Sequence, residues 1–473
     1  MKRIKQLIKP LGSVPVREEW QTEIMELADP VYVIIPLEYP GQIFYKPLVS
    51  IGDQVRRYQV IGRSKLGHCV HSSISGIVRD ILPVWTARIF NVPTVLIQRN
   101  NVPALTPEEI SEQFQQDYGT LSTVKRLKAL GIISPWTTPG QFHHEEEDTF
   151  PEVHTIIVKG VNEEPTHFVC ESLLKMEREK LIRGFQQLAN FAPRGRIILS
   201  VPDHLTSFAR DAFGKYADIS GLSSEYKDRI ERVVVPRLSG ADIANTEPYR
   251  ARGVAVISCE NLLNLVDAVE NEIPFVDKYL TISGTEIDRP FILKVPIGTT
   301  LRHVMKYLHL NAQNYSRILV GGPMKGIAMY TDLTPLTKTS HGMYLMKESE
   351  IPLEVNLTCI NCGRCTRVCP SRLQVHLIGR YAEHNMFIDA MDFNPQLCHE
   401  CGLCGYVCPA HRPLVQLIKM TKKYIGKQDE YVQQVECSSK SPLERWELDF
   451  HNADFMAAGD ASGSNRESAQ IRG

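Results

Sequence analysis

C-I-N-C-G-R-C-T-R-V-C-P at 359–370 and C-H-E-C-G-L-C-G-Y-V-C-P at 398–409 decide how this 473-residue chain is read. In both runs the cysteines are spaced C-x2-C-x2-C-x3-C-P. Three thiolates two residues apart wrap a short loop around one metal centre. The fourth, followed by a proline that redirects the chain, has left that loop. Gly363, Gly402 and Gly405 are expected to relieve crowding where backbone folds close to the metal. Zinc takes four ligands in one tetrahedron, commonly from separated C-x2-C pairs, and a third cysteine at the same spacing, twice over, is surplus. Disulfides fit no better: twelve cysteines in 473 residues are below scaffold density, and eight of them sit in these runs.

The spacing resembles that of bacterial two-cluster ferredoxins, in which the fourth cysteine of each run ligates the other cluster. On that pattern Cys359, Cys362, Cys365 and Cys408 hold one [4Fe-4S] cluster, and Cys398, Cys401, Cys404 and Cys369 hold the second. Backbone N–H groups of such loops hydrogen-bond the cluster sulfurs, one determinant of potential.

Bulk properties bound the rest. The chain is long enough for three or more domains. Its 43% hydrophobic and 23% charged residues are those of an ordinary globular protein. A net charge of −1 offers nothing to nucleic acid or to an anionic membrane surface. No window supplies the ~20 apolar residues of a membrane span, and the basic opening has no signal-peptide core before Pro10. The expected location is the cytoplasm.

Taken in order, residues 1–30 are expected to be an N-terminal extension. Residues 31–100 read as short strands, with Gly52-Asp53, Gly62 and Gly76 as turn residues. Their V-x-x-G-D-x-V and S-G-I-V phrases are similar to the halves of a lipoyl-type barrel-sandwich hybrid. Lys65 stands near the lipoyl-lysine position but lacks the acidic neighbour, and reads as a solvated turn lysine. Cys69, between His68 and His71, reads as packing inward, since neighbouring strand residues alternate faces. Thr106-Pro107-Glu108-Glu109 opens a helix with a capping box. The loop with His143, His144 and an acidic tip at 145–148 reads as solvated, its histidines a weak metal candidate. Residues 101–278 alternate strands (153–158, 196–201, 233–235, 254–257) with helices (168–191, one opened by Asp203, 261–269), the signature of a mostly parallel sheet. No G-x-G-x-x-G or Walker lysine occurs there. Residues 279–350 form a compact α/β unit, 351–428 the helical cysteine segment, and 429–473, rich in Ser, Asp, Gly and Asn, a tail expected to be disordered.

G-G-P-M-K-G at 321–326, P-L-T-K-T-S-H-G at 335–342 and both cysteine runs together resemble the C subunit of the Rnf electron-transport complex, over residues 30–425. The resemblance implies an α/β multidomain architecture. Its parts are a barrel-sandwich hybrid, a Rossmann-like α/β domain similar to the complex I 51-kDa subunit, a β-grasp (SLBB) domain and an α-helical dicluster ferredoxin domain. It also implies partner subunits in a membrane complex, a soluble redox partner, and docking on the cytoplasmic face of the inner membrane without a span of the chain's own.

Members of that family commonly hold a flavin mononucleotide against a loop close to G-G-A-G-F-P-T. Here Ser134, Pro135 and Trp136 stand at that place, and Pro135 and Pro139 carry no N–H for a phosphate. Asn162, Glu163, Glu164 and Pro165 retain the family's acidic turn. The expectation is an electron relay through two [4Fe-4S] clusters, without FMN or NADH oxidation on this chain. The alternatives are a flavin-dependent NADH dehydrogenase and a reductase of a corrinoid or other cofactor. Replacing Cys69, Cys170, Cys259 and Cys437 together by serine is expected to leave the cluster spectrum intact. Cys408→Ser is expected to damage the cluster of Cys359, Cys362 and Cys365, as electron paramagnetic resonance would show.

Overall fold

The structure, a computed structural model, describes residues 24–39, 43–65, 67–87, 92–118, 123–132, 152–244, 247–284, 287, 289–311, 314–351 and 357–428. The loop carrying Ser134 to Pro139, the His143–Asp148 tip, Cys437 and the tail at 429–473 lie outside them.

Alternating β-branched residues of the first unit build two main antiparallel sheets, beside a two-stranded pair of Glu38–Tyr39 with Ile43–Phe44. One runs Tyr32–Pro36, Val92–Arg99, Gly76–Val84 and Gln54–Val55, the other Lys46–Pro47, Val60–Arg63 and Cys69–His71. Val33, Ile35, Val55, Ile61, Val78, Val95 and Ile97 close the core between them. Gly52 has the left-handed φ of a turn. Gly62 and Gly76, expected in turns, instead lie within strands, where a Cβ would run into Leu37 and into the Gln98 carbonyl. Close strand approach, not turn geometry, demands glycine there. Lys65 is exposed on a turn. Cys69 is buried as expected, but so are His68 and His71; Gly131 lies against the Cys69 carbonyl, His71 and Lys338. The capping box forms: Glu109 donates its N–H to Thr106 Oγ1 (3.3 Å), and Thr106 donates its own to Glu109 Oε2 (2.8 Å).

The second unit is a parallel sheet in the order Asp218–Leu222, Arg196–Pro202, Thr155–Lys159, Val254–Ser258. Helices Val169–Met176, Arg178–Phe191 and Cys259–Asn271 cover it; the single helix expected over 168–191 breaks at Glu177. Val233–Val235 is not a strand. It lies in helix Glu231–Ser239, which Gly240 ends in a left-handed conformation (φ 70°). Burial of Val234 and Val235 against neighbouring elements overrides β-branched preference. The fourth strand is Asp218–Leu222, whose Asp, Ser and Gly keep it from standing out in the sequence.

The third unit is a six-stranded mixed sheet: Ile24–Glu26, Phe291–Pro296, Asp277–Gly284, Gly342–Met346, Arg317–Val320, Ile327–Ala328. Ile24–Glu26, expected within a terminal extension, pairs in parallel with Ile292–Lys294. Pairing across more than 260 residues leaves no local sequence signal.

Charge joins the units. Arg57 donates to both oxygens of Asp277 (2.8 and 2.7 Å), locking the first unit onto the third. Glu260, on a helix of the parallel-sheet unit, pairs with Lys278 of the mixed sheet and accepts the Tyr279 N–H (2.9 Å). Lys278 and Glu260 side chains are 1% and 4% exposed, so neither charge has water to fall back on. Glu260→Gln is therefore expected to cost about 3–5 kcal/mol by stranding the Lys278 charge. Adding Lys278→Met should recover most of the loss, both read from unfolding midpoints of the full chain.

Candidate metal-cluster site

Residues 357–428 fold as short helices, Arg364–Val368, Val375–Glu383, Phe387–Met391, Leu403–Tyr406 and Leu414–Gln428. They pack around Leu373, Val375, Ile378, Ala390, Leu414 and Ile418, with Cys365 and Cys404 in the same core. The two cysteine loops repeat each other in backbone as well as in sequence. Asn361 and Gly363 are left-handed (φ 56° and 69°), as are Glu400 and Gly402 at the matching positions (54° and 83°). Three residues after each fourth cysteine stands another left-handed residue, Arg372 and His411 (54° and 45°). Left-handed residues alternating with right-handed ones turn successive N–H groups to one side, the nest that anions and iron–sulfur centres occupy. Glu400 N–H already points at Cys398 Sγ (3.3 Å).

The thiols are brought together across the two runs. Burial raises the Cys365 pKa, and neighbouring Cys408 and Cys362 add to it. Burial likewise raises Cys398, Cys401 and Cys404, and in each case Cys369 adds to it. Cys408 thus lies within electrostatic reach of Cys365, and Cys369 of Cys398, Cys401 and Cys404. Among the described residues no three of His, Cys, Asp or Glu converge as ligands of a single ion. The nests differ in setting. Cys362 is exposed and Ile360 is 67% exposed, whereas Cys401 and Cys404 are buried. Gly402 is crowded by the Met324 carbonyl. A Cβ at Gly363 or Gly405 meets no protein atom within 4 Å, and Gly363 is required by its φ.

Residues that the sequence did not single out dock the second nest on the rest of the chain. The Tyr226 hydroxyl donates to the Cys401 carbonyl (2.7 Å), and Tyr226, Ile230, Cys401 and Leu403 are buried together with Met324 at their edge. Met324 and Lys325 belong to the G-G-P-M-K-G turn, and both donate their N–H groups to Glu164. Glu163 pairs with Lys325 (2.6 Å) and Lys159 (3.4 Å), and Lys159 also with Glu231 (2.5 Å). The acidic turn is legible in the sequence; its partners, some 160 residues away, are not.

These carboxylates border a cavity of about 230 Å³, lined also by His167, Cys170, Glu260 and His341. Pockets for drug-sized ligands run to roughly 300–1,000 Å³. Burial opposes the charge of Glu163, and Lys325 and Lys159 overcome it, holding its pKa below the usual range. Burial pushes Glu164 up to about 7, against the pull of its two N–H donors and Lys325. A carboxyl that binds its proton more tightly when folded stabilises fully below its unfolded pKa, near 4.5, and loses that contribution as pH rises through about 7. The unfolding midpoint should fall from pH 6 to pH 8, and Glu164→Gln should flatten that fall.

Residues 16–101 match the family model of the RnfC barrel sandwich hybrid domain, and residues 358–411 that of a 4Fe-4S dicluster domain. Over 412 residues the chain is 24% identical to the C subunit of the Na(+)-translocating ferredoxin:NAD(+) oxidoreductase complex of Acetobacterium woodii, covering 84% of this chain and 91% of that one. It is 26% identical over 441 residues to the C subunit of the ion-translocating oxidoreductase complex of Methanosarcina acetivorans (84% and 93% covered). It is also 26% identical over 336 residues to the cobalamin reductase PduS of Salmonella typhimurium (65% and 72% covered). The chain is similar to RnfC subunits, and the likeness runs through most of its length, not through one module alone.

Proposed function

We propose that the chain is the iron–sulfur electron-transfer subunit of an Rnf-like ion-translocating oxidoreductase complex, relaying electrons through two [4Fe-4S] clusters. What supports this is the doubled loop, with Cys408 within electrostatic reach of Cys365 and Cys369 within reach of Cys401 and Cys404. Cys359, Cys362, Cys365 and Cys408 would hold one cluster, and Cys398, Cys401, Cys404 and Cys369 the other. Bound there, such clusters supply one-electron carriers. The chain's own residues fix where those carriers stand. Tyr226, Gly402 and Met324 press the second nest against the body, while Ile360 and Cys362 leave the first near the surface. Exchange with a redox partner is assigned to that outer nest.

We read the parallel sheet as the Rossmann-like, 51-kDa-like domain and the six-stranded sheet as the SLBB β-grasp domain, with domain limits near residues 100, 278 and 350. No helix among the described residues is long and apolar enough to cross a membrane. We place the chain peripherally on the cytoplasmic face, held there by partner subunits.

The reading includes no FMN. Support comes from the glycine-poor sequence at 134–139, the small cavity beside the acidic turn, and the commitment of Glu163 and Glu164 to Lys325, Lys159 and Met324. Likeness to a cobalamin reductase favours a second reading, reduction of a corrinoid partner through the same clusters. Anaerobically purified protein is expected to hold about eight irons per chain. It should release no flavin on acid precipitation and turn over no NADH with an artificial acceptor. Stoichiometric flavin with NADH turnover would restore the flavin-dependent dehydrogenase.

A further inference from the structure

Arg412 follows the left-handed His411 in the turn after Cys408, and its side chain is 3% exposed. One end of the guanidinium, Nη2, pairs with the Glu383 carboxylate. The other, Nη1, is buried and makes no hydrogen bond to oxygen or nitrogen, with the Cys359 thiol in hydrogen-bonding reach of the guanidinium. Burial works against the guanidinium's charge, and Glu383 and the adjacent Cys359 more than restore it. A buried charged donor left without an acceptor is costly, and native structures retain one where an ion or group completes it. Here both cysteines near Arg412, Cys359 alongside and Cys408 four residues upstream, are assigned to the same cluster.

The internal duplication supplies a comparison. Four residues after Cys408 stands Arg412; four residues after Cys369 stands Leu373, which is 5% exposed and part of the apolar core. Both follow a left-handed residue, so the two halves offer the same buried position, and only one fills it with charge. The second nest has cations of its own, Lys422 and Lys325, but the Lys422 amine donates to the Cys398 carbonyl (3.0 Å) and pairs with Glu400 (2.7 Å), and Lys325 is paired with Glu163. At 27% side-chain exposure Lys422 is also screened by water.

We propose that Arg412 donates its free Nη1–H to sulfur of the cluster held by Cys359, Cys362, Cys365 and Cys408, and by that bond and its charge raises this cluster's reduction potential. Adding an electron makes a thiolate-ligated cluster more negative, and a buried cation at its edge stabilises the reduced form more than the oxidised one. Hydrogen bonds to the sulfurs act in the same direction. The Glu383 carboxylate offsets part of the effect. Arg412 is thus a tuning residue that makes the outer nest the more readily reduced of the two, a role that rests on the two-cluster reading above.

The test is a potentiometric titration of the anaerobic full chain, followed by electron paramagnetic resonance. The cluster is identified as the one that Cys408→Ser disrupts. Arg412→Gln should shift that cluster's midpoint downward and leave the other in place, with iron content unchanged. Arg412→Lys, which keeps charge but not the fork, should shift it less. Glu383→Gln, at a side chain 28% exposed, should move the same midpoint upward. Unmoved midpoints in an iron-replete Arg412→Gln protein would overturn the proposal. Should that variant lose its cluster, the Glu383→Gln protein decides, and no upward shift there overturns it too. Roughly half the expected iron in the unmodified protein would instead defeat the two-cluster reading.

Discussion

Met324 is held from both sides. Its N–H is bound by Glu164, and its carbonyl sits where only a glycine, Gly402, can face it. Those contacts tie the strand-to-helix turn of the parallel sheet to the G-G-P-M-K-G turn of the mixed sheet, and that turn to the second cysteine loop. Lys325 next to it neutralises Glu163, so the acidic turn can be buried at all. Without this joint the second cysteine loop would lean on the body chiefly through the Tyr226 hydrogen bond and a small apolar patch. A relay depends on fixed separations between its carriers and their partners, and the joint provides them.

What was legible in the sequence was what is local. The cysteine spacing, the Thr106–Glu109 capping box and the acidic turn are each written within a dozen residues, and each is where the sequence puts it. What was lost is non-local. Ile24–Glu26 becomes a strand only because Phe291–Pro296 offers it an edge. Val233–Val235 carries strand-like residues on a helix, because burial decides between two conformations whose intrinsic preferences differ by little. Tyr226, Lys325 and Arg412 gave no signal alone. For Arg412 one was available: laying the two halves of the duplication over each other sets it against Leu373.

The same division explains the site. Backbone features set by local sequence, the left-handed positions at Asn361, Gly363 and Arg372 and at Glu400, Gly402 and His411, are common to both halves. They fix where the thiols and N–H groups point, which any cluster of this type requires. Side chains outside that pattern are free to differ, and they differ in one direction. Around the second nest they make contact with the body: His399 and Glu400 are half-buried, and Gly402 and Leu403 are buried. Around the first they face outward: Ile360, Asn361 and Cys362 are exposed.

Two identical carriers would pass an electron either way with equal ease. Direction requires that the halves differ in potential, in access, or in both, and a duplicated loop starts with neither difference. Access is broken by docking, since one nest is pressed against Tyr226 and Met324 and the other is not. Potential is broken by that difference in exposure and by charge or hydrogen bonding close to the sulfurs, since a charge in water is screened within about 8 Å at physiological salt. Arg412 meets that condition: it is buried, fully charged, and placed where its counterpart is leucine. On the two-cluster reading both asymmetries fall on the same nest, and the nest nearest the surface is also the one whose cluster Arg412 would favour for reduction.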